Sequence, residues 1–278
     1  MFALAATMML TVDTGRAADD AKYPTNWKGQ WTRVVHRNVE VQGAFVQTKP
    51  WGLGQEAPLT PEYDQVLRAS MEDQKNGGLG NYPTATCRPS GMPRMMTFGS
   101  QEYVITPETT YVLLTGSDHL RRIFTDGRDF PKSVEPAFAG YSIGKWIDTD
   151  GDGRYDLLEV ETRHLRGPRA YDALGLPLHR DNETVIKERI YADKADPNII
   201  NNEITTIDNA LTRPWTVTKK YRRQNVAQPV WPEAACSEGN VHVEIGGQNY
   251  FLGADGLLMP ARKDQPPPSL KYFEHSQR

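Results

Sequence analysis

Cysteine is nearly absent: Cys87 and Cys236 are the whole complement of a 278-residue chain. Two cysteines without a C-x-x-C spacing make neither a zinc motif nor a redox motif. An excess of one charge sign is missing too. The 32 basic and 35 acidic residues leave a net charge of −3, too weak a field to favour nucleic acid or an anionic membrane. No basic run with interleaved aromatic residues is present, which argues against a nucleic-acid surface. No apolar run is long enough to span a bilayer as a helix. Nucleophile-elbow, dinucleotide-binding, phosphate-loop and H-E-x-x-H signatures are all missing, so no organic cofactor is implied. His36, His119, His164, His242 and His275 show no metal-ligand spacing to one another. Long helical periodicity is scarce and no internal repeat is visible.

What the chain has instead is punctuation. Its 20 prolines and 23 glycines divide it into short runs rich in β-branched and aromatic residues. Residues 29–35, 101–106, 109–115, 119–125, 141–147, 157–163, 184–191, 203–208, 215–222, 241–245 and 249–252 read as strands. Near-regular spacing and short links favour a closed barrel or a sandwich over a βαβ sheet. The expected fold is mainly β: an antiparallel up-and-down barrel of about ten strands. One short helix is expected near residues 60–76. Thr60 is a good N-cap, Pro61 suits the first helical position, and Tyr63, Val66, Leu67 and Met71 fall on one face before Gly77-Gly78 ends it. A single barrel domain is expected over residues 27–262. The tail at 263–278, with Pro266-Pro267-Pro268, is expected to be extended or disordered.

The N-terminus reads as a targeting segment. An apolar run from Phe2 to Val12 precedes the small residues of Gly15-Arg16-Ala17-Ala18, as in a secretory h-region with its cleavage site. Residues 1–18 are therefore expected to be a signal peptide, and the protein to be exported, periplasmic or secreted. No Lys or Arg precedes the run, which leaves open a start upstream of Met1 and the rival reading of an N-terminal core strand. In an oxidising compartment Cys87 and Cys236 are expected to pair. A bridge over so long a loop would contribute about 4–5 kcal/mol on the chain-entropy model. The alternative is two buried free thiols.

The strongest local motif runs from Asp148 to Glu159, with acidic residues at loop positions one, three, five, nine and twelve and Gly153 at six. Calcium wants six to eight oxygens, and carboxylates alternating on a tight turn converge on one point. The flanks alternate like strands, so the segment is more similar to the calcium-binding hairpin loops of integrin-type repeat propellers than to an EF-hand. The expected ligands are Asp148, Asp150, Asp152, Arg154 through its carbonyl, and Asp156, holding a structural Ca2+. The alternative is a solvated acidic hairpin without an ion.

Strand alternation gives a second signal. Arg122 falls between Leu120 and Phe124, and Glu188 between Ile186 and Ile190, as if both point inward. A buried charge needs a partner. Arg122 and Glu188 are expected in one interior cluster with Arg94, Arg128 or His179. Arg94, Arg122 and Glu188 are the candidate ligand-binding residues, and Glu188, Arg122, Arg128 and His179 the catalytic candidates. A structural ion pair or a slipped register would place these residues without any such role.

Several strings carry a resemblance: Cys87-Arg88-Pro89-Ser90-Gly91-Met92-Pro93-Arg94-Met95-Met96, Arg122-Ile123-Phe124-Thr125-Asp126-Gly127-Arg128, Ser142-Ile143-Gly144-Lys145-Trp146, Glu188-Arg189 and Arg213-Pro214-Trp215-Thr216. Together they resemble a group of uncharacterised exported bacterial proteins without a settled activity, over the chain from about Trp27 onward. Gly29-Gln30-Trp31 is similar to the G-x-W of lipocalin-like barrels, which implies a barrel with an internal ligand cavity. Three functions follow as expectations. The first is a binding protein for a small, partly apolar ligand. The second is a lyase, hydratase or isomerase using Glu188 and an arginine. The third is a calcium-stabilised interaction protein with no small-molecule site.

Overall fold

The computed structural model describes residues 21–34, 57–76, 80–81, 89–96, 100–115, 120–171, 175–231, 242–245, 248–252, 257–260 and 264–267. Cys87, Cys236, residues 1–18 and the end of the tail fall outside them, and with them the expected disulfide and signal peptide.

Nine strands close a barrel: β1 (Gln30–Arg33), β2 (Ser100–Ile105), β3 (Thr109–Leu114), β4 (Leu120–Phe124), β5 (Tyr141–Ile147), β6 (Leu157–Arg163), β9 (Val185–Ala192), β10 (Ile199–Ile207) and β11 (Trp215–Arg223). The ring order is β1-β11-β10-β9-β6-β5-β4-β3-β2, and β1 pairs with both β11 and β2. β7 (Arg169–Ala170) and β8 (Pro177–Leu178) form a small hairpin of their own. The wall alternates as strand geometry requires. Leu158, Val160 and Thr162 of β6, Ile186, Glu188 and Ile190 of β9, and Ile200, Asn202, Ile204 and Thr206 of β10 are all buried.

An odd ring cannot alternate direction all the way round, so one neighbouring pair must run parallel. That pair is β4 and β5, which meet at Ile123 opposite Ser142 and Phe124 opposite Ile143. Parallel neighbours need a crossover rather than a tight turn, and residues 125–140 supply it. Along its other edge β5 pairs with β6 over its full length, from Tyr141 opposite Arg163 to Ile147 opposite Leu157. Gly144 lets β5 pack closely against side chains of its neighbours β4 and β6 at this seam. A Cβ there would stand 2.7 Å from Ile123 Cγ2 and 3.1 Å from Leu158 Cδ1.

One core cluster lies inside the barrel and includes Trp27, Trp31, Met92, Met95, Met96, Tyr103, Trp146 and Tyr221. One end is closed by the 3-10 turn Thr25–Trp27, whose Trp27 ring lies 5.1 Å from Trp146. The 148–156 loop leans on the same segment, with the Tyr155 N–H donating to the Lys22 carbonyl at 2.8 Å. The opposite end, where β11 begins, is closed by helix α1 (Pro61–Lys75) and the β7–β8 hairpin around Leu67, Tyr171, Leu176, Leu178, Trp215 and Val217. Thr60 caps α1, its hydroxyl accepting from the Tyr63 N–H.

Three points correct the expected architecture. The closed barrel and its nine strands agree with the expected barrel of about ten, but the strands are not all antiparallel. The runs expected at 241–245 and 249–252 appear as β12 (His242–Ile245) and β13 (Gln248–Leu252), which join β14 (Leu258–Pro260) in a separate three-stranded sheet. β10 starts at Ile199, ahead of the expected 203, because its pairing with β9 and β11 carries Asn201 and Asn202 into the ladder despite their poor strand propensity. Among the described residues no helix is long and apolar enough to cross a membrane.

Candidate functional site

Glu188 faces inward and is 2% exposed. Its partner is Arg121, not Arg122. Arg121 is equally buried, and its Nη2 and Nη1 donate to Glu188 Oε2 and Oε1 at 2.5 and 3.0 Å. The pair spans the barrel from β4 to β9 and is fully furnished with hydrogen bonds. Ser142 and Thr162 accept from the guanidinium at 3.0–3.3 Å, and Asn202 Nδ2 donates to Glu188 Oε1 at 2.9 Å. A bidentate arginine–carboxylate pair with its remaining groups satisfied is the arrangement that makes burial of two charges tolerable. Both Glu188 oxygens are engaged.

Arg122 lies on the outer face, exposed, because β4 buries Arg121 and Ile123 instead. Its apolar neighbours Leu120 and Phe124 point outward with it. Phe124 stacks on Tyr141 at 5.0 Å and is covered by the Arg128 guanidinium at 4.0 Å. Arg128 itself is held by Asp126 at the surface, Nη2 to Oδ2 at 2.5 Å, and this pairing keeps the Asp126 carboxyl below its ordinary value. Arg94 is buried with Met95 and Met96 in the 3-10 turn Arg94–Met96, but it is not among the partners of Arg121 or Glu188. His179 sits apart near α1, its Nδ1 2.6 Å from Asp181 Oδ2 and its ring 5.2 Å from Tyr63. The expected cluster of Arg122 and Glu188 with Arg94, Arg128 or His179 is therefore replaced by Arg121, Glu188, Ser142, Thr162 and Asn202. Ser142, Thr162 and Asn202 were legible in principle, each being a polar residue at an inward position of an otherwise apolar strand face.

Between β4 and β5 the wall is not sealed. An open pocket of about 390 Å3 is lined by Leu120, Arg121, Arg122, Phe124, Ala139, Gly140, Tyr141 and Ser142. It lies at the parallel seam, where β4 and β5 are paired at only two positions. The sides are mostly apolar. Arg121 and Ser142 also border it, but both belong to the buried network and the Arg121 side chain is turned inward.

Two further polar features belong to the interior. Asn202 Oδ1 and Thr206 Oγ1, on the inward face of β10, are buried without a hydrogen-bond partner among the described residues. Buried acceptors of this kind call for a donor, ordinarily an ordered water. Near α1, Arg169 reaches Asp208 through the Thr184 hydroxyl, and burial pulls the Arg169 guanidinium below its ordinary value.

The acidic loop is a hairpin between β5 and β6. One carboxylate oxygen from each of Asp148, Asp150 and Asp152 lies within 4.8 Å of the others. Calcium–oxygen distances of about 2.3–2.6 Å place opposed ligands about that far apart. Asp148 accepts from the Gly151 and Gly153 N–H groups at 2.7 and 2.9 Å, and the Gly153 bond leads in holding its pKa below the ordinary value. Asp156 turns back to Thr149, accepting from its N–H at 2.9 Å and its hydroxyl at 2.5 Å. A wider, open pocket of about 810 Å3 borders this loop, walled by four carboxylates (Asp150, Asp152, Asp156, Asp193) and three cations (Arg154, Arg189, Lys194).

No protein-family model matches the chain, and no curated protein matches it.

Proposed function

We propose that this protein binds a small, partly apolar ligand in the β4–β5 seam pocket. One observation carries the reading: a pocket of a few hundred Å3 with a mostly apolar lining and few polar groups. Ligand sites are commonly built this way, with apolar lining for affinity and a few placed polar groups for orientation. Leu120, Phe124, Ala139 and Tyr141 supply the apolar lining, and Arg121 and Ser142 border it from the buried network. Glu188 contributes by holding Arg121 in place. Arg94, Arg128 and His179 lie outside the pocket.

Titration with decanol, an alcohol of about the right size, tests the proposal. On the order of a dozen water-sized volumes fit in 390 Å3. Saturable binding to the wild type is expected. Leu120→Asp, at an exposed position, is expected to weaken binding strongly while the melting temperature stays put. Unchanged binding in that variant would dismiss the seam as the site.

We further propose that the loop of Asp148, Asp150, Asp152, Arg154 and Asp156 holds a calcium ion that braces the β5–β6 hairpin. The convergence of three carboxylates supports this. Melting temperature in calcium against chelator is the measurement that decides it. The strings and the G-x-W tripeptide support placing the protein with exported bacterial barrels.

A further inference from the structure

We infer that the ligand of the seam pocket is an anionic amphiphile, an alkyl or aryl carboxylate whose head group sits on Arg122. This rests on the seam reading above and names its ligand class.

Adjacent residues on a strand point to opposite faces: Arg121 and Arg122 both border the pocket, Arg121 with its side chain turned into the barrel and Arg122 with its side chain outside. Their electrostatic states are opposite. Arg121 is neutralised by Glu188 through two hydrogen bonds, and the hydroxyls of Ser142 and Thr162 occupy its other side. Buried and compensated, Arg121 offers a head group no charge. Arg122 is exposed at the lip and has no ion pair or hydrogen bond among the described residues. The next cation along the chain, Arg128, is already bound to Asp126. Across the β3–β4 ladder, the residue opposite Arg122 is Tyr111, which offers no compensating carboxylate.

The rim of the pocket therefore carries one uncompensated positive charge, and the sides below it are apolar. A ligand complementary to both has an apolar body and an anionic end. The body lies against Leu120, Phe124 and Tyr141. The carboxylate stays at the lip, partly hydrated, where a guanidinium can take it in a two-point, charge-assisted bond. Keeping the charge at the lip avoids the desolvation that burying it in the barrel would require.

The test compares three probes with one ten-carbon chain and different ends: decanoate, decanol and decylamine. Isothermal titration of each into the wild type, Arg122→Leu and Arg122→Lys reads the head group separately from the body. Decanoate is expected to bind about fivefold tighter than decanol, the worth of one partly exposed ion pair, and decylamine weakest. Arg122→Leu should bring decanoate down to the level of decanol without moving decanol itself, and Arg122→Lys should keep part of the preference. Equal binding of decanoate and decanol by the wild type, or a preference that survives Arg122→Leu, overturns the inference and leaves the seam site standing. A protein that binds none of the three overturns the seam site as well.

Discussion

Arg121 and Glu188 come from strands three places apart in the ring and meet in the middle of the barrel. Removing one partner would leave the other charge buried and unpaired. Glu188→Gln or Arg121→Met is expected to destabilise the fold by about 3–5 kcal/mol in denaturant titrations. The double substitution Arg121→Met with Glu188→Leu should recover most of that loss, since two apolar groups of similar volume need no partner. Glu188 was legible because Ile186 and Ile190 flank it on a strand with one reading. Arg121 was not, because β4 has apolar residues in both registers: Ile123 on one face, Leu120 and Phe124 on the other. The outward pair that misled the alternation is the pair that lines the seam pocket. Tyr103 and Tyr221 add a pH dependence. Burial is the main cause that holds both phenols protonated above the ordinary value of 10.0, and the nearby Glu188 carboxylate works in the same direction. Tyr191, held by burial and by its bond to Glu203, is pushed up to about 12. Above pH 10 the unfolded chain loses phenol protons that the folded state keeps, so stability should fall as pH rises through that range. Tyrosinate absorbance followed together with circular dichroism should show these phenols ionising only as the protein unfolds.

The element most open to perturbation is the β4–β5 seam. Gly144→Val would drive a side chain into Ile123 and Leu158, both buried and closely packed. A cost of about 1–3 kcal/mol is expected from overpacking. Amide exchange at Ser142 and Ile143 should rise more than exchange in β9 and β10. Helix α1 offers a contrast: Thr60→Ala removes a cap and should cost about 1 kcal/mol without altering exchange at the seam. β5 and β6 have the bounds that alternation gives, 141–147 and 157–163, because both runs alternate in burial and a sharp turn separates them. The parallel pairing had no local signal. It follows from the count of strands in the ring, and that count depended on where residues 241–252 went.

At the scale of the whole molecule, a closed barrel keeps its ends and its seam apart. The calcium-type loop closes over one end with Tyr23 and Tyr155, whose rings lie 5.2 Å apart. If it binds calcium, the ion stabilises the folded state by mass action, about 2.7 kcal/mol at a hundredfold excess over Kd. The melting temperature should rise in calcium and return to the chelated value in Asp148→Asn with Asp152→Asn. A melting temperature that calcium leaves unmoved would remove the brace while leaving the seam site intact. The seam site itself is tested most directly by intermolecular nuclear Overhauser contacts from bound decanoate. Contacts from its methylene protons to Leu120, Ala139 and Tyr141 are the expected result. Contacts to Tyr155 and Tyr191 at the loop end instead, or to no residue of the seam, would contradict it.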